Sequence, residues 1–320
     1  MVDTTAPIPT TTPIEEAKSQ FEWQLKWFPR FLLLPTMFYL FMLTVFPLLY
    51  SLFISLFKTD TTGQNHAWVG LGNYGDLLGS GEFWYSMFIT LVITVVAVTL
   101  EVLLGIAIAV LLHQRLRGMG IFRLIIYIPM MLSPLVIGYF WKYMLDPSFG
   151  VVGWFFDVTI GRVFGLPTPQ WFSDPWLATT GIILVDLWQW TPFVVLLVTA
   201  GLQTVPPALY EAATLDRASW WMQFRRITMP FLVTPLLVAV LFRSIDTIKI
   251  FDTVYILTGG QPGDLTATLS VLVYKRGFTY SQIGQAAAFS WLIVILVNVV
   301  TTVVLRYVTR SRNRARSILS

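Results

Sequence analysis

Long stretches without charged side chains are the feature that most constrains this chain. Three stretches contain no Asp, Glu, Lys or Arg, and two others contain a single acid, Glu101 or Asp186. The five stretches are Phe31–Phe57, Phe83–Leu112, Leu124–Trp141, Trp176–Tyr210 and Gly277–Leu305. A helix needs about 20 apolar residues to span a bilayer, and lipid offers the backbone no other hydrogen-bond partners. We therefore predict that each stretch crosses a membrane as a helix.

One more apolar stretch, the fifth in chain order, begins at Ile227 and runs to about Ile250, which makes Gly277–Leu305 the sixth. It is uncharged as far as Phe242, after which Arg243, Asp246 and Lys249 follow. Such a segment spans a membrane only if its charges are sheltered from lipid. Only 12% of all residues are charged, against about 25% in soluble domains. The sequence thus predicts an all-α membrane protein with six transmembrane helices, and it excludes a soluble domain.

The basic residues predict the orientation, because cytoplasmic loops carry an excess of Lys and Arg. Three precede the first span, three lie between the second and third, three lie between the fourth and fifth, and five follow the sixth. These fourteen of the 21 Lys and Arg residues place both termini in the cytoplasm. The segment between the fourth and fifth spans is therefore also predicted to be cytoplasmic.

Three regions are predicted along the chain. Residues 1–27 form a cytoplasmic tail, with a disordered Thr/Pro-rich start and then an interfacial helix near Lys18–Phe28. Residues 28–306 form the six-helix domain, and residues 307–320 form a basic cytoplasmic tail. No cleavable signal peptide is predicted at the start. The basic tail indicates an anchor against anionic lipid rather than a nucleic-acid site.

Patterns typical of an enzyme are missing from the sequence. The absence of cysteine excludes disulfides and thiolate metal sites, and the two histidines, His66 and His113, are isolated. A metal site is therefore not expected. The phosphate-binding pattern G-x-x-x-x-G-K-[ST] does not occur, so no nucleotide site is expected in this chain. We predict no catalytic residue, cofactor or metal.

The stretch YEAATLDRASWWMQFRRITMP, residues 210–230, stands out because it is polar and helix-forming between two apolar spans. Pro206 and Pro207 suit a helix start, and Glu211 is expected in the first turn, where the helix dipole favours an acid. Ala212 and Ala213 are strong helix formers with little bulk. The pattern predicts a short helix along the cytoplasmic membrane surface. By itself it could be a simple amphipathic linker.

The same stretch resembles the cytoplasmic loop of binding-protein-dependent ABC importer permeases. The likeness consists of Glu-Ala-Ala, an acid three residues later, and then Ala218, Phe224, Ile227 and Pro230, although Arg217 replaces the family's usual glycine. The stretches WFSDP, LQTVPPALYEAA, FDTVYILTGG and GQAAAFSWL are similar to the maltose-transporter branch, and to its first permease subunit. The resemblance implies a type I importer fold, with a coupling loop at residues 203–229. The implied ATPase-coupling residues are Glu211, Ala212, Ala213, Asp216, Arg217 and Ala218.

The resemblance also implies partners and a location. The partners would be a second homologous permease subunit, a dimer of ATP-binding subunits that holds ATP and Mg, and an extracytoplasmic solute-binding protein. The location would be a prokaryotic cytoplasmic membrane, and the solute a carbohydrate such as a disaccharide, an oligosaccharide or a polyol.

Candidate solute contacts lie on two predicted helices. Sugars need both hydrogen-bonding groups and flat apolar faces, and the fourth helix offers both. Its candidates are Asp186, Trp188, Gln189 and Trp190, whose positions line the sugar site in the maltose-type family. On the fifth helix the family resemblance points to Asp246, Thr247 and Ile250. Each set has a plainer alternative. The tryptophans could belong to an interfacial belt. The charged residues of the fifth helix, which alternate in sign at every third position, could pair with one another along one helical face as a self-neutralised stripe.

Glu101 stands alone in the second span. It is expected to pack within the bundle; the alternatives are that it pairs with a buried arginine or lines the translocation path. An alternative function uses the same acids differently. An ion-coupled secondary transporter would employ Glu101, Asp186 and Asp246 as proton or ion sites.

Overall fold

The computed structural model describes residues 30–60, 67–113 and 118–319, with side chains as far as residue 306. The predicted N-terminal tail and the side chains of the basic C-terminal tail lie outside these residues. The described residues divide into two compact units, one ending at Ile54 and the other beginning at Ser55. The main helices in chain order are α1 (Arg30–Ser55), α2 (Gly72–Gly79), α3 (Gly81–Leu112), α4 (Met119–Met131), α5 (Pro134–Met144), α6 (Val151–Phe156), α7 (Pro175–Leu202), α8 (Pro207–Leu215), α9 (Trp220–Ile248), α10 (Asp252–Leu257), α11 (Leu269–Tyr274) and α12 (Ile283–Leu319). Helical turns at Asp157–Gly161 and Arg162–Phe164 continue α6, and a turn at Lys275–Thr279 continues α11.

Five of these helices are long and apolar enough to cross a membrane: α1, α3, α7, α9 and α12 as far as Arg306. The bent pair formed by α4 and α5 makes a sixth crossing if it is one span. The predicted all-α membrane architecture is therefore confirmed. The only strands among the described residues are Phe57–Lys58 and Ala67–Trp68, which pair as a small antiparallel hairpin.

The third predicted span is not one straight helix, as the uninterrupted apolar run Leu124–Trp141 suggested. It breaks between α4 and α5, whose axes differ by 98°. Pro134 opens α5, and the two residues before it, Leu132 and Ser133, are extended with ψ of 148° and 134°. The ring of a proline clashes with a helical residue before it, so Pro134 ends the preceding helix.

Helices α3, α7 and α9 pack against one another in the second unit. In lipid the hydrophobic effect does not hold helices together, and close contact between small and branched side chains matters instead. Gly105 of α3 packs so close to α7 that a Cβ there would lie 2.5 Å from Cγ1 of Val194. Gly201 of α7 meets α9 in the same way, with Cγ of Pro235 only 2.7 Å from such a Cβ. These close approaches place the polar side chains of the three helices within reach of each other.

Candidate functional site

A cluster of four charged side chains lies where α3, α7 and α9 meet. Arg243 of α9 is at its centre and is only 2% exposed. Its Nε and Nη2 donate to the two carboxylate oxygens of Glu101 on α3, at 2.7 and 2.8 Å. Nη2 also donates to Oδ2 of Asp186 on α7, at 2.6 Å, and Nη1 donates to Oδ2 of Asp246 on α9, at 2.7 Å. One guanidinium thus joins three helices, and we call these four residues the Arg243 cluster.

The indole of Trp190 adds a fifth contact to the guanidinium. Cζ of Arg243 lies 4.9 Å from the centroid of the Trp190 ring, a distance at which the ring face attracts a cation. Charges inside a membrane are rare because they are costly, and those that occur pair with one another or mark a pathway. In the Arg243 cluster each acid is paired with Arg243, so these charges belong to the kind that pair with one another.

Glu101 is one of the buried partners of Arg243. It is 0% exposed and accepts two hydrogen bonds from the guanidinium. Glu101 is therefore packed within the bundle and paired with a buried arginine, as two of the sequence-based alternatives expected.

The candidate residues on α7 have different surroundings. Asp186 and Gln189 are buried, at 3% and 1% exposure, whereas the side chain of Trp188 is 38% exposed. Neither the nitrogen nor the oxygen of the Gln189 amide has a hydrogen-bond partner among the described residues. Trp188 packs near Phe140 and Trp141, with ring centroids 6.5 and 5.7 Å away. A buried amide of this kind normally has a partner, so Gln189 marks a place where another molecule could bind.

The candidate residues on α9 also differ in exposure. Thr247 is buried, and its hydroxyl donates to the backbone carbonyl of Arg243 at 2.8 Å. Ile250 is half-buried just beyond the end of α9. The Asp246 side chain is 54% exposed, whereas those of Arg243 and Asp186 are 2% and 4% exposed. Asp246 is therefore the open end of the Arg243 cluster.

Asp246 belongs to an exposed stripe along α9. The stripe repeats every three or four residues, as one face of a helix does. Its members are Phe231, Thr234, Val238, Phe242, Asp246 and Lys249. A carboxylate on this face would be costly against lipid, so the part of the stripe around Asp246 suits contact with water or with another protein.

The predicted alternation of charge along the fifth helix holds for one pair only. Arg243 and Asp246 do pair, three residues apart. The pattern then ends, because α9 stops at Ile248 and α10 begins at Asp252. Among the described residues no ion pair joins Lys249 to Asp246 or Asp252. The alternative of a self-neutralised stripe is therefore met by the Arg243–Asp246 pair alone, since the helix does not continue and Arg243 turns inward to α3 and α7.

The polar stretch after the fourth span does form a short helix, α8, with Pro207 at its first position. Glu211 lies one turn further in, so the prediction that it stands in the first turn was wrong. Arg217 adopts φ of 51°, the left-handed region that glycine enters without strain. This explains why a glycine is usual there in the similar loops. Ser219 then caps the next helix by accepting a hydrogen bond from the backbone N–H of Met222.

Helix α8 has no buried residue. The hydroxyls of Tyr210 and Thr228 are 2.9 Å apart, and the amide of Gln223 donates to the carbonyl of Ala218 at 3.0 Å. These bonds connect the loop to the start of α9. A cavity of about 260 Å³ lies beside it, lined in part by Tyr210, Trp220 and Phe224. The faces of α8 that carry Glu211, Ala212 and Ala213 remain open for another chain.

The sequence reasoning missed the central role of Arg243, because it treated Arg243 only as part of the charged stripe of the fifth helix, together with Asp246 and Lys249. The available signal was charge balance: three neighbouring spans carry Glu101, Asp186 and Arg243, and each needs a partner inside the membrane.

Among the described residues no group of His, Cys, Asp and Glu could hold a metal ion.

Known proteins with similar sequences give the chain a family. The sequence profile of the family described as binding-protein-dependent transport system inner membrane component matches residues 101–314. The trehalose/maltose transport system permease protein MalF of Thermococcus litoralis is 36% identical over 86% of this chain and 91% of its own length. The trehalose transport system permease protein SugA of Mycobacterium tuberculosis is 34% identical over 82% of each chain.

A solved structure shares the fold. It is the crystal structure of a bacterial alginate ABC transporter in complex with an alginate pentasaccharide-bound periplasmic protein. One of its chains is 21% identical to this chain, with a TM-score of 0.76, over 92% of this chain and 96% of that one. From the family match and the membrane-spanning helices together, we conclude that this chain is a multi-pass inner membrane protein that belongs to the family of binding-protein-dependent transport system inner membrane components.

Proposed function

We propose that this chain is a permease subunit of an ATP-driven ABC importer that carries a carbohydrate into the cytoplasm by alternating access. The observation that carries the proposal is its likeness, over most of its length, to permeases named for trehalose and maltose transport. In this function the chain is a non-catalytic subunit, and ATP and Mg are bound by partner ATPase subunits. Its partners are a second, homologous permease, a dimer of ATP-binding subunits and an extracytoplasmic solute-binding protein.

The open surface of α8 supports a docking role in this proposal. The coupling residues lie on α8 and on the turn that follows it, and α8 has no buried residue. They are Glu211, Ala212, Ala213, Asp216, Arg217 and Ala218. Small side chains at 212 and 213 allow a close approach of another backbone. With both termini in the cytoplasm, α8 faces the ATPase subunits and transmits their closure to α7 and α9, which flank it in the chain.

The solute contacts in this proposal come from α7 and α9. Trp188 offers a partly exposed ring and Trp190 a half-buried one. The Gln189 amide is buried without a partner among the described residues, so it becomes available to a solute only when the helices move during alternating access. Asp246 offers an exposed carboxylate. An ion-coupled transporter would instead need free carboxylates, yet Glu101, Asp186 and Asp246 each accept a hydrogen bond from Arg243.

Gentle affinity purification followed by an ATPase assay tests this function. We expect ATP-binding subunits and a second permease to copurify. Trehalose or maltose, with the solute-binding protein, should then raise the ATPase rate. Copurification of no ATPase, together with uptake that an uncoupler abolishes while ATP stays high, would instead support an ion-coupled transporter.

Glu211→Lys tests the coupling role of α8. The substitution reverses a charge on an exposed helix, so the protein should still insert in the membrane. We expect sugar-stimulated ATPase activity to fall at least tenfold. Full stimulation in this variant would contradict a docking role for Glu211.

A further inference from the structure

We propose that Arg243 is a positioning residue of the solute pathway, which fixes the carboxylate of Asp246 where a solute passes. Glu101 and Asp186 in turn hold the guanidinium of Arg243. This inference rests on the proposed function. It assigns different roles to three acids that the sequence pattern alone cannot distinguish.

Hydrogen bonds to acids on two neighbouring helices fix the position of the Arg243 guanidinium. Glu101 of α3 accepts from both Nε and Nη2, and Asp186 of α7 accepts from Nη2. Only Nη1 is directed to Asp246, 2.7 Å from Oδ2. A guanidinium is planar and its donors form a rigid fork. Two buried acids on neighbouring helices therefore determine where Nη1 lies, and with it the carboxylate of Asp246.

Exposure separates the acid that can meet a solute from those that cannot. Glu101 and Asp186 have side chains only 0% and 4% exposed, against 54% for Asp246. Asp186 is paired with Arg243, so a solute that replaced Arg243 at this carboxylate would leave buried charges unpaired. Asp246 needs no such displacement. Asp186 is thus a counter-charge, and Asp246 is the acid that contacts the solute.

The chemistry of Asp246 suits a hydroxyl of the solute. An ionised carboxylate only accepts hydrogen bonds, and Oδ2 already accepts one from Arg243. No described residue donates to the other oxygen, Oδ1. A hydroxyl-rich solute can donate to it. A fixed acceptor loses less entropy when it binds than a freely rotating one, which is the general advantage of a preorganised site.

Transport per ATP hydrolysed is the measurement that separates positioning from mere stability. The reconstituted transporter, with partner subunits and saturating solute-binding protein, is assayed with trehalose or maltose, whichever the unmodified transporter accumulates. We expect Asp246→Asn and Arg243→Lys each to lower sugar import per ATP at least tenfold, with the ATPase rate changed less than twofold. An ammonium ion keeps the charge but cannot reproduce the fork.

The double variant carrying both substitutions should be no worse than either single one, because both remove the same fixed acceptor. Asp76→Asn and Arg162→Lys, at exposed positions, are the matched controls and should leave import per ATP unchanged. Glu101→Gln is a second route to the same test if Arg243→Lys fails to fold. It retains the side-chain size and should lower import per ATP about threefold, because a Gln oxygen can accept only one of the two hydrogen bonds that Arg243 now donates to Glu101.

A test without any sugar uses the absence of cysteine from the sequence. Phe242→Cys introduces one thiol on the exposed stripe, a helical turn before Asp246. One turn from a unit charge in water, Coulomb's law gives about a threefold change in the local concentration of each charged reagent. The ratio of the cationic to the anionic methanethiosulfonate rate, each normalised to a free thiol, should therefore be about tenfold higher with Asp246 than without it, whatever constant contribution Arg243 and Lys249 make. Adding Asp246→Asn should reduce this ratio at least threefold.

Three results would overturn the inference. The first is unchanged import per ATP in Asp246→Asn. The second is an equal loss of ATPase activity and import in both Arg243→Lys and Glu101→Gln. The third is that the thiol introduced by Phe242→Cys reacts with neither reagent. Failure of the proposed function has a different signature, namely that no ATPase copurifies and neither sugar is accumulated. The thiol measurement still reports on Asp246 in that case.

Discussion

Replacing Arg243 by methionine should destabilise this protein more than any other single change in the Arg243 cluster. Methionine approximates the length of the arginine stem but has no charge and no N–H groups. Glu101 and Asp186 would remain buried, at 0% and 3% exposure, without the cation that now binds both. Breaking a buried ion pair by removing one partner costs about 3–5 kcal/mol. We therefore expect the free energy of unfolding to fall by about 3–5 kcal/mol, which is a change of roughly 150-fold to 4,000-fold in the unfolding equilibrium.

The same reasoning predicts a rescue. Buried ion pairs can often be replaced by neutral residues without loss of stability, because the desolvation penalty of the charges is removed as well. The triple variant Arg243→Met, Glu101→Gln, Asp186→Asn has no buried charge left in this cluster. It should recover most of the lost stability, although Gln and Asn leave some hydrogen bonds unmade. Rescue is expected for stability only, since the fixed acceptor at Asp246 is lost.

Equilibrium unfolding in mixed micelles measures these differences, with the tryptophan fluorescence as the signal. Lys249→Met is the matched control, because Lys249 is exposed and forms no ion pair among the described residues. Its effect should stay within about 0.5 kcal/mol, as for most surface substitutions. The reasoning fails if Arg243→Met costs no more than Lys249→Met, or if the triple variant is as unstable as the single one.

Two further predictions concern packing and the coupling loop. Gly201→Ala places a Cβ 2.7 Å from Cγ of Pro235 and should cost about 1–3 kcal/mol of stability; adding Pro235→Ala should recover part of it. Gly120→Ala, in a helix where nothing lies within 4 Å of the added Cβ, should be neutral or stabilising by up to about 1 kcal/mol in the same unfolding assay. Arg217→Gly removes a side chain from a left-handed position, at φ of 51°, and should stabilise the loop by about 0.5–1 kcal/mol. Slower amide hydrogen exchange across residues 212–218 would show it, and unchanged exchange would argue against strain at Arg217.

The membrane architecture was largely predictable from the sequence, because hydrophobicity is a local property. Runs such as Phe83–Leu112 identify themselves without reference to the rest of the chain. The helix at Pro207–Leu215 was predictable for a similar reason, since Pro207 and the alanines act within a few residues. The break before Pro134 was missed, although proline carries a local signal there. Proline is common in membrane helices, and whether it breaks or only kinks a helix depends on the neighbours.

Contacts between distant residues were decided by the tertiary structure. Arg243 and Glu101 are 142 positions apart, and Arg243 and Asp186 are 57 apart. Which charges meet depends on how α3, α7 and α9 are rotated and on how closely they approach at Gly105 and Gly201. Composition shows that charges in apolar spans need partners, but it does not say which ones. Only the packed helices turned Arg243 inward, enclosed Asp186 and left Asp246 exposed.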